Sequence, residues 1–188
     1  MKGKDVLLDV GDEFIETFDK DIMTPEEIKK LESITEFAYP NVDDILRANK
    51  LVLDFHKPTR AEKHELIKDK DAIKKMIGKI KTKKGGVFLK ASMLLKDINR
   101  NHYFGSANKR TSFVIASGFI LKNIGYIIQP PERERKFMYE VREGKRTTKQ
   151  IEEFLLNYNL EHKVKNKSWA NVFSEVIENN KAFLRKLG

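Results

Sequence analysis

The 188-residue chain contains no cysteine, which excludes disulfides, thiolate metal sites and cysteine nucleophiles together. Long hydrophobic runs are missing as well. The longest apolar stretch, residues 113–121, is interrupted by Ser117 and Gly118, and it falls short of the roughly 18 residues from which a membrane span is read. The opening residues, MKGKDVLLDVGDEF, bring acids early and only a short apolar patch, so no secretory signal is expected and a cytoplasmic location follows. Strand-like patterning is scarce and confined to residues 6–10, 86–89 and 127–128. No repeat of solenoid period is present. His56 and His64 stand eight residues apart without a metal-ligand pattern of acids around them, and with His162 they read as surface histidines.

Charge is what the chain has in quantity: 35% of residues are charged and the formal net charge is +9. Such a surplus invites a nucleic-acid reading. Lys and Glu alternate over most of the chain, however, as on solvated helix faces, and the two locally basic stretches are short (KIKTKK at 79–84 and KVKNK at 163–167). Neither interleaves the aromatics of a single-strand stacking platform, so both read as solvated loop ends and nucleic acid is not an expected partner.

Helical spacing dominates, as in a mainly helical single domain of ordinary size. Thr24-Pro25-Glu26-Glu27 is a capping box with proline at the first helical position, and Ile28, Leu31, Ile34 and Ala38 extend a stripe to Pro40. Asn41 opens the next helix, with Val42, Ile45, Leu46, Asn49, Val52 and Leu53 on one face. A short polar helix is expected at 60–68, and amphipathic helices at 71–80 and 87–101. Residues 111–121 (TSFVIASGFIL) are apolar all round and predict a buried helix. Residues 132–143 predict a further helix, Thr147 to Gln150 form a second capping box, and Ser168 caps a last helix carrying Trp169, Val172, Phe173, Val176, Ile177, Phe183 and Leu184.

Ahead of the buried helix lies the segment HYFGSANKR, residues 102–110. Its end falls where a helix presents unpaired N–H groups and the positive end of its dipole, a natural anion site. Arg110 can grip phosphate as a fork, Lys109 adds a point charge, and small Ala107 lets backbone approach a ligand. His102, a few residues upstream, titrates near neutrality and can take a proton from an attacking hydroxyl.

This segment resembles the signature of the Fic/Doc family, H-x-F-x-(D/E)-(G/A)-N-(G/K)-R, matching at His102, Phe104, Ala107, Asn108, Lys109 and Arg110 and departing at Ser106. The flanking stretches 89–101 and 111–126 are similar to the family's core helices, and 144–155 to its closing helix. The resemblance implies an all-α, Fic-type helical domain with a short β-hairpin flap, placed at Gly85-Gly86, and an extra C-terminal helix. It divides the chain into an N-terminal extension (1–40), a Fic/Doc-like core (41–160) and a C-terminal helix (161–188).

The activity implied is transfer of AMP or a phosphoryl group from ATP, or another nucleoside triphosphate, to a Ser, Thr or Tyr hydroxyl of a protein substrate. His102 would be the general base, and Ser106, Ala107, Asn108, Lys109 and Arg110 would bind the nucleotide phosphates. Family members hold Mg²⁺ with the acid that Ser106 replaces, so here Ser106 is a weak metal ligand. The alternatives are a Fic-fold protein that binds nucleotide or a partner without catalysis, and a basic nucleic-acid-binding protein. Phe113 stands where many AMP-transferring members carry a second arginine, which brings the segment closer to the Doc branch of toxins restrained by a partner antitoxin. Ser174-Glu-Val-Ile-Glu178-Asn179 fits the family's inhibitory pattern, which would make Glu178 an inhibitory residue.

Overall fold

The computed structural model describes residues 23–56, 64–162 and 167–188. Among these, nine α-helices and one two-stranded sheet are formed: α1 (Pro25–Glu32), α2 (Val42–His56), α3 (Lys70–Thr82), α4 (Val87–Asn101), α5 (Asn108–Ile124), β1 (Tyr126–Ile128), α6 (Arg135–Arg142), α7 (Thr148–Asn157), β2 (Asn159–Glu161), α8 (Trp169–Asn179) and α9 (Lys181–Lys186). The domain is therefore mainly helical with a small sheet, as expected. The expected strand at 6–10 lies outside the described residues, as do most of the basic stretch at 163–167, the side chain of His56 and the first part of the helix expected at 60–68.

Helix α5 is the axis of the domain because its sequence offers no polar face. Every residue from Thr111 to Leu121 is buried, and α2, α4, α6, α8 and β1 all pack on it. A helix apolar all round must be surrounded. Gly118 sets the approach of α8, since a Cβ at that position would meet the Phe173 ring at 2.8 Å. Phe113 packs on Phe183 of α9 with ring centroids 5.0 Å apart.

Several local expectations are corrected, each because a side chain elsewhere claims the backbone. Helix α1 stops at Glu32 instead of running to Ala38, because Asn123 of α5 binds both Ala38 N–H (2.7 Å) and Ala38 C=O (3.0 Å). Phe37 and Tyr39 then lie against Phe119. Residues 64–68 are not helical, because the Glu65 carbonyl and the Ile67 and Lys68 N–H groups pair with Gly105 and Tyr103. The last expected helix is two, since Asn180 leaves helical geometry (φ −123, ψ 23) and its side chain turns back to the Val176 carbonyl.

Gly85-Gly86 forms no strand, and Gly86 is the N-cap of α4. The two strands that do pair are β1 and β2, antiparallel with Ile127 opposite Leu160 and with α6 and α7 between them in the chain. A buried charge holds α3 to α4. Lys90 is 3% exposed, and its ammonium donates to the carbonyls of Ile80 (2.6 Å), Lys81 (3.1 Å) and Lys83 at the end of α3. It satisfies the carbonyls that a helix terminus leaves open.

Candidate functional site

Residues 102–107 pass from α4 to α5 through a turn bracketed by left-handed backbone. His102 ends α4 at φ 49, ψ 60, and Ala107 is the N-cap of α5 at φ 63, ψ 20. They are the two non-glycine residues of positive φ among the described residues. Left-handed backbone costs an alanine roughly 1–2 kcal/mol, so the surroundings must hold the turn in place.

Three devices do so. Phe104 is buried at 1% exposure and anchors the turn in the core. Asn108 spends both ends of its amide on the same residue, accepting from Phe104 N–H (3.0 Å) and donating to Phe104 C=O (2.6 Å). Its side chain therefore braces the turn. Fully buried Asn49 of α2 donates to Ser106 C=O (3.1 Å) and to Thr111 Oγ1 (3.0 Å). The 2.7 Å contact between Asn49 Oδ1 and His64 Nδ1 then assigns the proton to Nδ1 of His64. His64 is exposed, as expected of a surface histidine, and it also stacks over Phe104, so it takes part in the bracing as well.

The turn opens onto a cavity of about 230 Å³. His102, Ser106, Ala107, Asn108, Lys109 and Arg110 all line it, so the structure gathers every signature residue expected to carry chemistry around one space. Arg142, from the last turn of α6, joins them, and Leu187 and Gly188 close one side. Arg110 is 2% exposed, which places its charge at the floor. Lys109 lies over the Tyr139 ring, its ammonium 4.1 Å from the centroid. Partial burial first, and then the charges of Arg142, Lys68 and Lys109, hold the His102 imidazole below its ordinary pKa. A neutral imidazole at neutral pH can accept a proton.

Arg142, Asn49 and His64 were missing from the residues expected here. Arg142 gave no signal, because a cation in the last turn of a helix is ordinary. Asn49 did give one: an amide on an otherwise apolar helix face must find partners once buried. Glu178 falls on the other side of the comparison. It is exposed on α8, pairs with Lys181 at 2.5 Å and is not among the residues that line the cavity. Val172, Phe173, Val176 and Ile177 turn the opposite face of α8 into the core.

A model of the Fic/DOC family matches residues 5–120, which is more than half of the chain and includes the whole of 102–110. The chain belongs to the Fic/DOC family. No match was found among the curated proteins or the solved structures. The helical domain is a Fic-type transferase fold, and the match ends within α5, ahead of α6 to α9.

In this Fic/DOC protein the cavity does not suit the divalent cation that the family implies. Among the described residues its side chains include Lys109, Arg110 and Arg142 and no carboxylate, whereas Mg²⁺ is bound through carboxylate and phosphate oxygens. Among the described residues no group of three His, Asp or Glu residues could hold a metal. The same lining suits an anion. Ser106 is half-buried beside Asn108 and Lys109, where a hydroxyl can donate to phosphate oxygen but brings no charge of its own.

Proposed function

We propose that the chain is a Fic-type transferase that modifies a Ser, Thr or Tyr hydroxyl of a protein substrate with AMP or a phosphoryl group from ATP. The observation that carries this reading is the placement of His102, whose pKa is lowered by partial burial and then by neighbouring cations, in the lining of a cavity that has three cationic side chains and, among the described residues, no acidic one. A volume of about 230 Å³ is below the ~300–1,000 Å³ usual for a whole small-molecule ligand. It accommodates the phosphate end of the nucleotide and leaves the nucleoside at the mouth.

His102 accepts the proton of the target hydroxyl as its oxygen attacks phosphorus. A new oxygen–phosphorus bond forms while the bond to the leaving phosphate breaks. Pyrophosphate departs if the α-phosphorus is attacked and ADP if the γ-phosphorus is attacked. Lys109, Arg110, Arg142 and the first N–H groups of α5 offset the charge on the phosphate oxygens. Phosphoryl chemistry depends chiefly on such positioning and charge stabilisation. Ala107 lets the backbone come close, and Asn108 keeps the turn rigid.

Serine at position 106, where the family pattern has an acid, favours one second reading, in which the chain binds nucleotide or a partner without catalysis. Mass spectrometry of proteins incubated with the chain and mixed nucleotides separates the two readings. A nucleotidyl or phosphoryl adduct that disappears with His102→Ala supports transfer. Absence of any adduct, together with calorimetric binding of ATP and a gain of transfer by Ser106→Asp, would establish the binding protein instead.

A further inference from the structure

A second cavity lies apart from the signature residues. It measures about 450 Å³ and lies between α3, α4 and the start of α7, where Lys79, Lys96, Arg100, Asp97, Asn101 and Thr148 line it. Three cations thus converge from two helices on one concave surface. Like charges held together cost energy unless something offsets them. Among the described residues the offset is partial: Lys79 and Arg100 are exposed and make no ion pair, Lys96 spends its ammonium on the neutral hydroxyl of Thr148 at 3.1 Å, and one carboxylate faces the three cations. Asp97 is the single acid in the lining, and its Oδ1 already accepts from Asn101 Nδ2 (2.7 Å) and the Tyr103 hydroxyl (3.0 Å).

The guanidinium of Arg100 lies close against the backbone of Gly144. A Cβ on Gly144 would stand 2.8 Å from Arg100 Nη2, and Gly144 has φ +79. Glycine there allows the turn between α6 and α7 and leaves room for the guanidinium above it. Thr148 is the first residue of α7, whose capping box spends Thr147 Oγ1 on the Gln150 N–H. The lining therefore combines cations, a hydroxyl, an amide and the start of a helix, all of which favour an anion.

We infer that this cavity is a second anion site, separate from the signature cavity, that takes a small phosphate-bearing molecule between Lys79, Lys96 and Arg100. Its size falls within the ~300–1,000 Å³ of small-molecule sites, and a surplus of two positive charges over the single acid matches a phosphate dianion. Asn101 lines this cavity and the next residue, His102, lines the other, so the two sites meet at the end of α4. The inference does not depend on the transfer reaction.

Calorimetry with inorganic pyrophosphate at low salt provides the test, using the full chain, Lys79→Gln/Arg100→Gln, Lys109→Gln/Arg142→Gln, and Lys29→Gln/Lys30→Gln as a control on the exposed face of α1. Loss of two charged donors weakens the second site by about tenfold or more. The expected result is that Lys79→Gln/Arg100→Gln loses one binding event that Lys109→Gln/Arg142→Gln retains. A chain whose signature cavity fails to bind would show a single event, still lost in Lys79→Gln/Arg100→Gln, which keeps the two readings apart. Wild-type-like binding by Lys79→Gln/Arg100→Gln, or equal weakening by the control, overturns the site. An NMR titration of the unmutated protein adds a readout independent of the variants' folding. The amides of Arg100 and Thr148 should shift with pyrophosphate, and unmoved amides at saturation would also overturn it.

Discussion

The turn 102–107 and helix α5 are contiguous in the chain and are held by opposite means. Helix α5 is fixed by apolar burial on all sides, with Phe113, Phe119 and Ile120 fully inaccessible. The turn buries little apolar surface beyond Tyr103 and Phe104 and relies instead on polar bonds from Asn49, Asn108 and the segment 65–68. It also carries both non-glycine left-handed residues. Packing is tolerant of direction and sums over many contacts, whereas a hydrogen-bonded turn depends on a few groups being in place. The signature residues of the turn sit on the part that is held by few groups.

Substitutions in the two regions should therefore separate stability from activity. Phe113→Ala, in the helix, should cost about 3–5 kcal/mol as a buried aromatic is replaced by a cavity. Denaturant unfolding measures it, and nucleotide binding per folded molecule should be retained. Asn49→Ala, which removes the brace of the turn, should cost less, about 2 kcal/mol for the buried partners it leaves unsatisfied. Its loss of transfer or nucleotide affinity should exceed that of Phe113→Ala in the folded population. Equal behaviour of the two variants in binding would break the distinction.

Ala107→Gly relieves the left-handed strain but loosens the unfolded chain, so a net gain of up to about 1 kcal/mol is expected. A thermal melt that shows no gain would indicate that the turn is relaxed as it stands. Arg142→Gln should leave stability almost unchanged, because Arg142 is exposed. Its effect lies in the pH profile. A nearby cation disfavours the imidazolium, so removing it raises the His102 pKa toward its ordinary value. The acid limb of transfer should then move to higher pH, by less than the whole depression because burial is the larger cause. A limb that stays in place or moves to lower pH would remove Arg142 from the environment of the base.

A fourth test addresses the C-terminal helices, of which α8 packs on α5. Glu175 accepts from both His162 and Lys167. Burial would raise its pKa, but together these partners outweigh burial and hold it below the ordinary carboxylate range. A depressed carboxylate contributes stability above its unfolded pKa, and that contribution is lost as pH falls through the folded one. Glu175→Gln should therefore flatten the acid side of the stability curve below about pH 4.5, the ordinary value from which Glu175 is lowered. An unchanged acid limb in pH-dependent melts would exclude this pair from the docking of α8.

Much of the frame was legible because it depends on neighbours in the chain. The capping boxes at Thr24 and Thr147 form as written, and α4 runs over the expected 87–101 because its apolar spacing and the glycines before it are local facts. The signature was legible for the same reason, since nine consecutive residues carry it. Illegible were the features that depend on distant partners. The end of α1 is decided by Asn123, the break at Asn180 by the return of its side chain to α8, and the β1–β2 pairing by the path of α6 and α7. The burial of Lys90 likewise depends on α3, whose end places three carbonyls around its ammonium.

By itself the sequence determined an all-round apolar helix, hence an enclosed α5, with cations at its N-terminal end and a histidine a few residues upstream. Periodicity and charge at fixed spacing suffice for that, since helix geometry converts spacing into direction. Only the tertiary structure decided that Asn108 braces the turn, that Arg142 joins the cavity from α6, that Glu178 faces away from it, and that the three cations of the second cavity converge. Those outcomes depend on where separate helices stop and how closely they pack, which is set by long-range burial and by backbone groups seeking partners.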